Sequence, residues 1–234
     1  MGVRDSLQAV GYTARISVTT MADALLDRVS MDRSDERLAW WARKLLDSAE
    51  VSLEIRGAEH VPQGPLVLMS NHRSYYDIPT VFCAVPGRVR MVAKKELFRV
   101  PVFGPALLVS GFVKVDRERR DAAIASLKQS EQLLQSGTRV WIAPEGTRSR
   151  DGRLGPFKSG GFHLALSAGV PILPIAIEGT QAILPHDGFL VRKGAHVTAT
   201  ILPPIDVRAY GPERRKELMH DVRVAIAGAL GEPA

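Results

Sequence analysis

The sequence predicts an α/β fold, in which a mainly parallel central sheet is flanked by helices and preceded by two N-terminal helices. Short runs of apolar and β-branched residues recur from Val51 onward, and helix-length segments separate several of them. Residues 1–50 show a different pattern, with apolar residues at three- and four-residue steps. Strands that alternate with helices favour parallel pairing, because the crossover helices cover both faces of the sheet.

Two helices are predicted within residues 1–50. The stripe of the first consists of Leu7, Val10, Ala14, Val18, Met21, Leu25 and Val29, and that of the second of Leu38, Trp41 and Leu45, with Trp40 beside it. The run 32–36 is expected to interrupt the helical pattern between them. Paired tryptophans flanked by basic residues are typical of helices in the lipid headgroup layer. Residues 1–50 are therefore predicted to be an amphipathic two-helix membrane-association region, with packing of both stripes on the main domain as the alternative.

Residues 51–234 are expected to form the α/β domain. Strands are predicted at 51–55, 66–69, 89–92, 112–115, 140–143, 172–177 and 197–201, and helices at 78–84, 122–134, 161–168 and 212–230. No internal repeat and no low-complexity tract divides this part of the sequence. We therefore predict one main domain.

Composition and charge limit the classes of function. The sequence has 234 residues, of which 45% are hydrophobic and 24% charged, and this excludes a disordered or fibrous chain. Cys83 is the only cysteine in the sequence, which excludes a disulfide framework within the chain and favours a reducing compartment. Beyond residue 50, 24 basic side chains face 17 acidic ones. This excess favours an anionic partner, and nucleic acid is the weaker option because no DNA- or RNA-reading motif accompanies it.

The first candidate constellation is the segment 71–77, Asn-His-Arg-Ser-Tyr-Tyr-Asp, which directly follows a predicted strand. Reactive groups in α/β proteins collect at the carboxyl ends of strands. A histidine that is oriented by a carboxylate can remove a proton from a hydroxyl at neutral pH, so His72 and Asp77 are a candidate pair. They are five positions apart, and the chain between them must bend for the pair to meet. In the alternative interpretation, Asp77 caps the following helix and His72 is an ordinary loop residue.

Three further segments adjoin predicted strands. They are Pro-Glu-Gly-Thr-Arg-Ser at 144–149, Gly-x5-Arg at 111–117 and Val-Pro-Ile-Leu-Pro at 170–174. Gly146 allows a ligand to approach closely, and an arginine such as Arg148 can bind two phosphate oxygens at once. Arg117 is a second candidate phosphate contact, although both arginines would also suit a solvated surface. Prolines at a strand entrance more often shape the backbone than perform chemistry.

The order and spacing of these four segments resemble the four blocks of the glycerophospholipid acyltransferase family, whose best-known members are 1-acylglycerol-3-phosphate acyltransferases. The stretch Phe-Lys-Ser-Gly at 157–160 is similar to the short stretch that follows the third block. The resemblance covers about residues 51–204. It implies transfer of a fatty acyl group from acyl-CoA or acyl carrier protein to the free hydroxyl of 1-acyl-sn-glycerol-3-phosphate, which gives phosphatidic acid in phospholipid biosynthesis.

The resemblance also implies roles for individual residues. His72 corresponds to the general base and Asp77 to its orienting partner. The implied substrate-binding residues are Arg117, Glu145, Gly146, Thr147, Arg148 and Lys158, and the implied acyl pocket contains Val170, Pro171, Ile172 and Pro174. No metal, cofactor or covalent acyl-enzyme is implied, which agrees with the absence of a Gly-x-Ser-x-Gly elbow from the sequence. The acyl thioester is a co-substrate.

Many members of this family carry a hydrophobic N-terminal span, whereas the predicted N-terminal helices are amphipathic. We therefore expect a peripheral or monotopic protein on the cytoplasmic face of a membrane, held to an anionic surface by these helices and the basic body. Two alternatives stay open. One is acylation of another lyso-lipid, such as a lyso-ornithine lipid or another lysophospholipid. The other is a non-catalytic membrane lipid-binding protein, against which the intact pair of His72 and Asp77 argues.

Overall fold

The computed structural model describes residues 2–116 and 119–233, with only the backbone of Arg120. The strands of this part are β1 Ser52–Arg56, β2 Val67–Ser70, β3 Val89–Lys94, β4 Val113–Val115, β5 Arg139–Ile142, β6 Ile172–Glu178 and β7 His196–Ile201. They form one sheet in the order β1-β7-β6-β2-β5-β3-β4. Strands β6 and β7 pair antiparallel, and the other neighbouring strands pair parallel. The predicted mainly parallel sheet is confirmed.

Helices flank this sheet on both faces. They are α1 Gly2–Leu25, α2 Met31–Ser48, α3 Asp77–Ala84, α4 Phe103–Val109, α5 Arg120–Gln135, α6 Gly160–Ala168, α7 Thr180–Ile183 and α8 Arg215–Ala229. The helices predicted in the main domain are present, whereas α4 and α7 were not predicted. Helix α4 follows Val102, which has a φ of 64°, and it contains Gly104 and Pro105. These residues are typical of a loop, and they hide a helix of seven residues from sequence analysis.

The core lies in two layers, one on each face of the sheet. Along β2, Leu68 belongs to the first layer and Val67 and Met69 to the second, because successive side chains point to opposite faces. Helices α2, α3 and α4 cover the first face, and α5, α6 and α8 cover the second. Strands that are buried on both faces read as continuous apolar runs, which is why the sequence pattern identifies them.

The break between the two N-terminal helices lies at 26–30, so the expectation that the run 32–36 interrupts them is wrong. Ser30 caps α2, and its hydroxyl accepts a hydrogen bond from the backbone N–H of Arg33 at 3.2 Å. Acidic residues are favoured in a first helical turn, where they meet the positive end of the helix dipole. Asp35 also forms an ion pair with the buried Arg90 of β3 at 2.6 Å.

The two N-terminal helices differ in what they do with their apolar stripes. The stripe of α2 is buried against the domain through Leu38, Ala42, Leu45 and Leu46. Helix α1 instead turns a polar side toward the domain, and its buried side chains are Asp5, Ser17 and Thr20. The apolar side chains on its outer face are exposed: Val3, Leu7, Val10, Val18 and Leu25 are 56–84% exposed, whereas Ala9 and Tyr12 on the inner face pack against the core. The alternative prediction, that both apolar stripes pack on the main domain, is therefore correct for α2 and wrong for α1.

Polar contacts hold α1 to α2. The indole Nε1 of Trp41 donates to Thr13 Oγ1 at 3.0 Å, and Arg37 forms an ion pair with Asp23 at 2.6 Å. Neither of these helices, nor any other in the described part of the chain, is long and apolar enough to span a bilayer.

We predict that Leu45→Ala lowers the free energy of unfolding by about 2–5 kcal/mol, because it leaves a cavity in the layer under α2. The matched control Leu25→Ala removes the same atoms from a side chain that is 84% exposed. We expect it to change stability by less than about 0.5 kcal/mol. Urea unfolding monitored by circular dichroism measures both. Similar losses for the two variants would contradict the burial of α2.

Candidate active site

The sheet order brings three strand ends together. Strands β6, β2 and β5 are adjacent and parallel, so their carboxyl ends meet at one edge of the sheet. The side chain of Asn71, directly after β2, exchanges hydrogen bonds with the backbone of Ile177 in β6. Its Nδ2 donates to the carbonyl at 2.8 Å, and its Oδ1 accepts from the N–H at 2.7 Å. The chain that leaves β2 is thereby fixed at the position where His72 begins the next turn.

His72 and Asp77 meet as a hydrogen-bonded pair. Nδ1 of His72 lies 2.7 Å from Oδ2 of Asp77, whose side chain is fully buried. The same oxygen accepts from the backbone N–H groups of Arg73 at 2.7 Å and Ser74 at 2.9 Å, and Oδ1 accepts from the Thr180 hydroxyl at 2.5 Å. By accepting from these backbone N–H groups, the carboxylate stabilises the bend in the chain that brings His72 and Asp77 together. Asp77 is the first residue of α3, and the two backbone donors precede the helix.

The imidazole of His72 has one nitrogen committed to Asp77 and packs against an aromatic ring. Its ring lies edge-on to Trp141 at a centroid distance of 6.1 Å and an interplanar angle of 88°. Trp141 is in turn held by a hydrogen bond from its Nε1 to Ser70 Oγ at 3.0 Å. The side chain of His72 is 15% exposed, so solvent reaches the site. With Nδ1 bound to a carboxylate, Nε2 is the nitrogen suited to accept a proton from a hydroxyl.

Glu145 joins two backbone segments beside this pair. Its Oε1 accepts from the backbone N–H of His72 at 2.9 Å, and its Oε2 accepts from that of Gly155 at 2.8 Å. Burial raises the pKa of the Glu145 carboxyl, and the two backbone donors oppose that shift. Both oxygens thus bind the protein itself. A direct contact of Glu145 with substrate, as implied by the family resemblance, stays a prediction.

The rest of the third block forms a turn next to the histidine. Ser149 donates from its backbone N–H to the carbonyl of His72 at 2.7 Å. Gly146 has a φ of 77°, a conformation that favours glycine, and Thr147 is exposed. The guanidinium of Arg148 lies over the ring of Tyr75, with 4.0 Å between Cζ and the ring centroid. The fold thus brings a residue of the first block onto one of the third.

Tyr75 and Thr180 are site residues that sequence reasoning missed. Tyr75 lies within the first segment, but only the fold shows that its ring supports Arg148. Within the described part of the chain, Nη1 of Arg148 is buried without a hydrogen-bond partner. Thr180 follows β6 and is 103 positions from Asp77 in sequence, and no spacing pattern points to it.

Two other predicted phosphate contacts differ in what the structure shows. The side chain of Lys158 is exposed, and its backbone N–H donates to the carbonyl of Pro144 at 2.7 Å, which ties it to the third block. Arg117 lies outside the described residues. Their proposed contacts with a phosphate stay predictions.

The fourth block lies at the other end of its strand. Ile172 pairs with Val67, and Pro174 with Met69, so this block lies beside the first three residues of β2. Five steps of extended chain, about 16 Å, separate His72 from Val67, the partner of Ile172, and three steps, about 10 Å, separate it from Met69, the partner of Pro174. Ile172, Val170 and Pro174 are buried and Pro171 is half-buried. The register thus sets Ile172 and Pro174 three to five residues back along the sheet from His72, and the part of this block in an acyl pocket stays a prediction.

Family comparison agrees with this architecture. The Acyltransferase family model matches residues 52–178, which is more than half of the chain and includes His72, Asp77 and the third block. The chain therefore belongs to the acyltransferase family.

The individual relatives are acyltransferases that share one name. The 1-acyl-sn-glycerol-3-phosphate acyltransferase alpha of Homo sapiens is 36% identical over 189 residues, which are 78% of this chain and 65% of the human protein. The 1-acyl-sn-glycerol-3-phosphate acyltransferase of Haemophilus influenzae is 35% identical over 172 residues, which are 71% of this chain and 70% of that protein. The chain spans slightly less than two thirds of the length of the mammalian relatives.

A solved structure shows the same fold. The crystal structure of the 1-acyl-sn-glycerophosphate acyltransferase PlsC from Thermotoga maritima matches with a TM-score of 0.77 and 23% sequence identity. The match covers 98% of this chain and 95% of that one. The predicted α/β architecture with N-terminal helices is thereby confirmed.

We predict that Glu145→Gln accelerates hydrogen exchange at the backbone amide of His72 or Gly155 by at least about 10-fold. A glutamine has one acceptor oxygen, so one of the two charge-assisted hydrogen bonds is lost, and such a bond contributes about 1.5–3 kcal/mol. Exchange measured by mass spectrometry on peptides that contain either residue tests this. The control Glu213→Gln changes an exposed carboxylate and should leave both amides unaffected. Unchanged exchange at both positions in Glu145→Gln would contradict the bridge.

Proposed function

We propose that this protein transfers a fatty acyl group from an acyl thioester to the free hydroxyl of 1-acyl-sn-glycerol-3-phosphate, which gives phosphatidic acid in phospholipid biosynthesis. The observation that carries the proposal is the pair of His72 and Asp77, 2.7 Å apart at the edge of the sheet where reactive groups collect. The names of the relatives from mammals, plants and bacteria support the choice of acceptor. The donor is the thioester of coenzyme A or of acyl carrier protein.

In the proposed mechanism, Nε2 of His72 accepts the proton of the acceptor hydroxyl, while the oxygen of that hydroxyl attacks the thioester carbonyl. The new C–O bond forms a tetrahedral intermediate, and the C–S bond then breaks. The imidazolium of His72 returns its proton to the departing thiolate, so the thiol leaves neutral and the histidine is restored. The carboxylate of Asp77 stabilises the imidazolium between these steps. This route needs no metal and no covalent acyl-enzyme.

For the acceptor, we propose that its phosphate binds near the third block. The guanidinium of Arg148 matches a phosphate in charge and geometry, and Tyr75 holds its plane. Gly146 and Thr147 complete this turn, and Lys158 and Arg117 are further candidate contacts. A lyso-lipid with another headgroup is the second candidate acceptor, since the same hydroxyl chemistry would serve it.

We also propose that the outward face of α1 lies on an anionic membrane surface at the cytoplasmic side. Its apolar stripe runs along 24 residues, or about 36 Å of helix. Phe189, which is 90% exposed, and Leu190 extend the apolar surface at the N-terminal end of α1, where Leu190 approaches Gly2. The basic excess of the remaining chain adds an electrostatic attraction to anionic lipids. Helix α2 contributes through its support of α1, since its own stripe is used in the core.

We predict that purified protein releases free thiol from palmitoyl-CoA when lysophosphatidic acid is present, with phosphatidic acid identified by mass spectrometry. His72→Ala is expected to lower kcat by about 10²–10⁴, because the general base is lost. The control is His186→Ala. It replaces a histidine that pairs with the neighbouring Asp187 in an exposed loop, and its kcat should equal that of the wild type.

The outcomes of this assay separate the candidate functions. Thiol release that requires a lyso-ornithine lipid in place of lysophosphatidic acid, with acylated lyso-ornithine lipid as the product, would favour the second acceptor. Release with palmitoyl carrier protein but not with palmitoyl-CoA would change the donor only. Failure of these donor and acceptor pairs would favour a lipid-binding protein without catalysis. A normal rate in His72→Ala would remove His72 from the mechanism.

We predict that the triple variant Leu7→Ser, Val10→Ser and Val18→Ser binds anionic liposomes at least about 10-fold more weakly, because each buried apolar side chain contributes to interfacial binding. The matched control is Ile55→Ser, Ile124→Ser and Val224→Ser, which changes three exposed apolar residues on other elements. Sedimentation with liposomes of phosphatidylglycerol and phosphatidylcholine measures the difference. Equal binding by both triple variants would contradict the membrane role of α1.

A further inference from the structure

We infer that Glu232, in the segment after α8, is a positioning residue that fixes the chain around His72 for acyl transfer. The inference rests on the proposed function. It starts from an arrangement in which two carboxylates, those of Glu145 and Glu232, join the same two stretches of chain. One stretch is 72–73, at the start of the catalytic turn, and the other is 154–155, in the loop after the third block.

The contacts of Glu232 mirror those of Glu145. Its Oε1 forms an ion pair with Nη2 of Arg73, and its Oε2 accepts from the backbone N–H of Leu154 at 2.7 Å. Glu145 joins the neighbouring residues, His72 and Gly155, through their backbone N–H groups. The two stretches are therefore held together at two successive positions, and each position uses both oxygens of one carboxylate.

The second stretch is also fixed from the other side. Arg223 of α8 donates from Nη1 to the carbonyl of Gly155 at 2.5 Å and from Nη2 to that of Leu154 at 3.0 Å. The backbone N–H of Glu232 in turn donates to Ala227 at the end of α8, at 2.9 Å. Helix α8 thus carries both the residue that binds the carbonyls and the segment that presents the carboxylate.

Removal of Glu232 would leave a buried cation next to the catalytic histidine. The side chains of Arg73 and Glu232 are 9% and 19% exposed. Nε of Arg73 already has no hydrogen-bond partner within the described residues. An unpaired charge in such a position is strongly unfavourable, so the guanidinium would move toward solvent and take the backbone of the turn with it. Because Arg73 adjoins His72, this movement displaces the imidazole from its position for proton transfer.

The consequence for catalysis is an effect on turnover with little effect on binding. Misplacement of a reacting group by about 1 Å lowers a rate by up to about 10²-fold. Neither Glu232 nor Arg73 belongs to the proposed phosphate site around Arg148. We therefore expect Glu232→Ala to lower kcat by about 10-fold or more and to leave both KM values within about twofold.

The test compares Glu232→Ala, Glu232→Gln and the control Glu59→Gln in the full chain, with palmitoyl-CoA and lysophosphatidic acid as substrates. Glutamine can still accept from Leu154 but lacks the charge that pairs with Arg73, so we expect an intermediate kcat. Glu59 is an exposed glutamate remote from the site, and its variant should match the wild type. The NMR signal of the His72 ring, assigned with His72→Ala, is expected to shift in both Glu232 variants.

Each outcome bears on the inference. A graded loss of kcat with near-constant KM values and a shifted His72 signal would support it. Unchanged kcat in both Glu232 variants, or a loss that follows thermal unfolding with an unshifted His72 signal in the folded protein, would overturn it. If the wild-type protein transfers no acyl group, the proposed function fails instead, and the His72 signal alone then tests whether Glu232 positions the turn.

Discussion

The buried carboxylate of Asp77 is the constraint on which the active edge of the sheet depends. A charge without exposure to water must be satisfied within the protein, because its desolvation costs several kcal/mol. Asp77 accepts hydrogen bonds from the His72 ring, from the backbone N–H groups of Arg73 and Ser74, and from the Thr180 hydroxyl. Three of these lie in the turn after β2, and the fourth lies beyond β6. The same carboxylate therefore sets the conformation of the turn and the position of its histidine, and it joins the ends of β2 and β6.

His72 is held at two separate points by two separate carboxylates. Asp77 binds the ring through Nδ1, and Glu145 binds the backbone N–H. In the proposed mechanism, the carboxylate at the ring stabilises the charge that forms when the imidazole takes up a proton. The one at the backbone is set among N–H donors, where burial raises its pKa, and it fixes the main chain.

The sequence predicts much of the fold because the strands are buried on both faces and read as apolar runs. It also predicts His72, Asp77 and Arg148, since their segments follow strands that end at one edge. Other features depend on contacts distant in sequence. Trp141 and Ser70 are 71 positions apart, and Arg73 and Glu232 are 159 apart. The orientation of α1 was equally hidden, because a periodic stripe shows that a helix has an apolar side but not which way that side faces.

That orientation has a thermodynamic consequence. The inner side of α1 attaches it to the domain, by polar contacts such as those of Thr13 with Trp41 and of Asp23 with Arg37 and by the packing of Ala9 and Tyr12. The apolar side chains of its outer side are exposed. A surface formed in advance gives up little conformational entropy on association. In the proposed function, binding to a membrane would therefore depend on the area of α1 that is covered, whereas the rate of acyl transfer would depend on the geometry around His72.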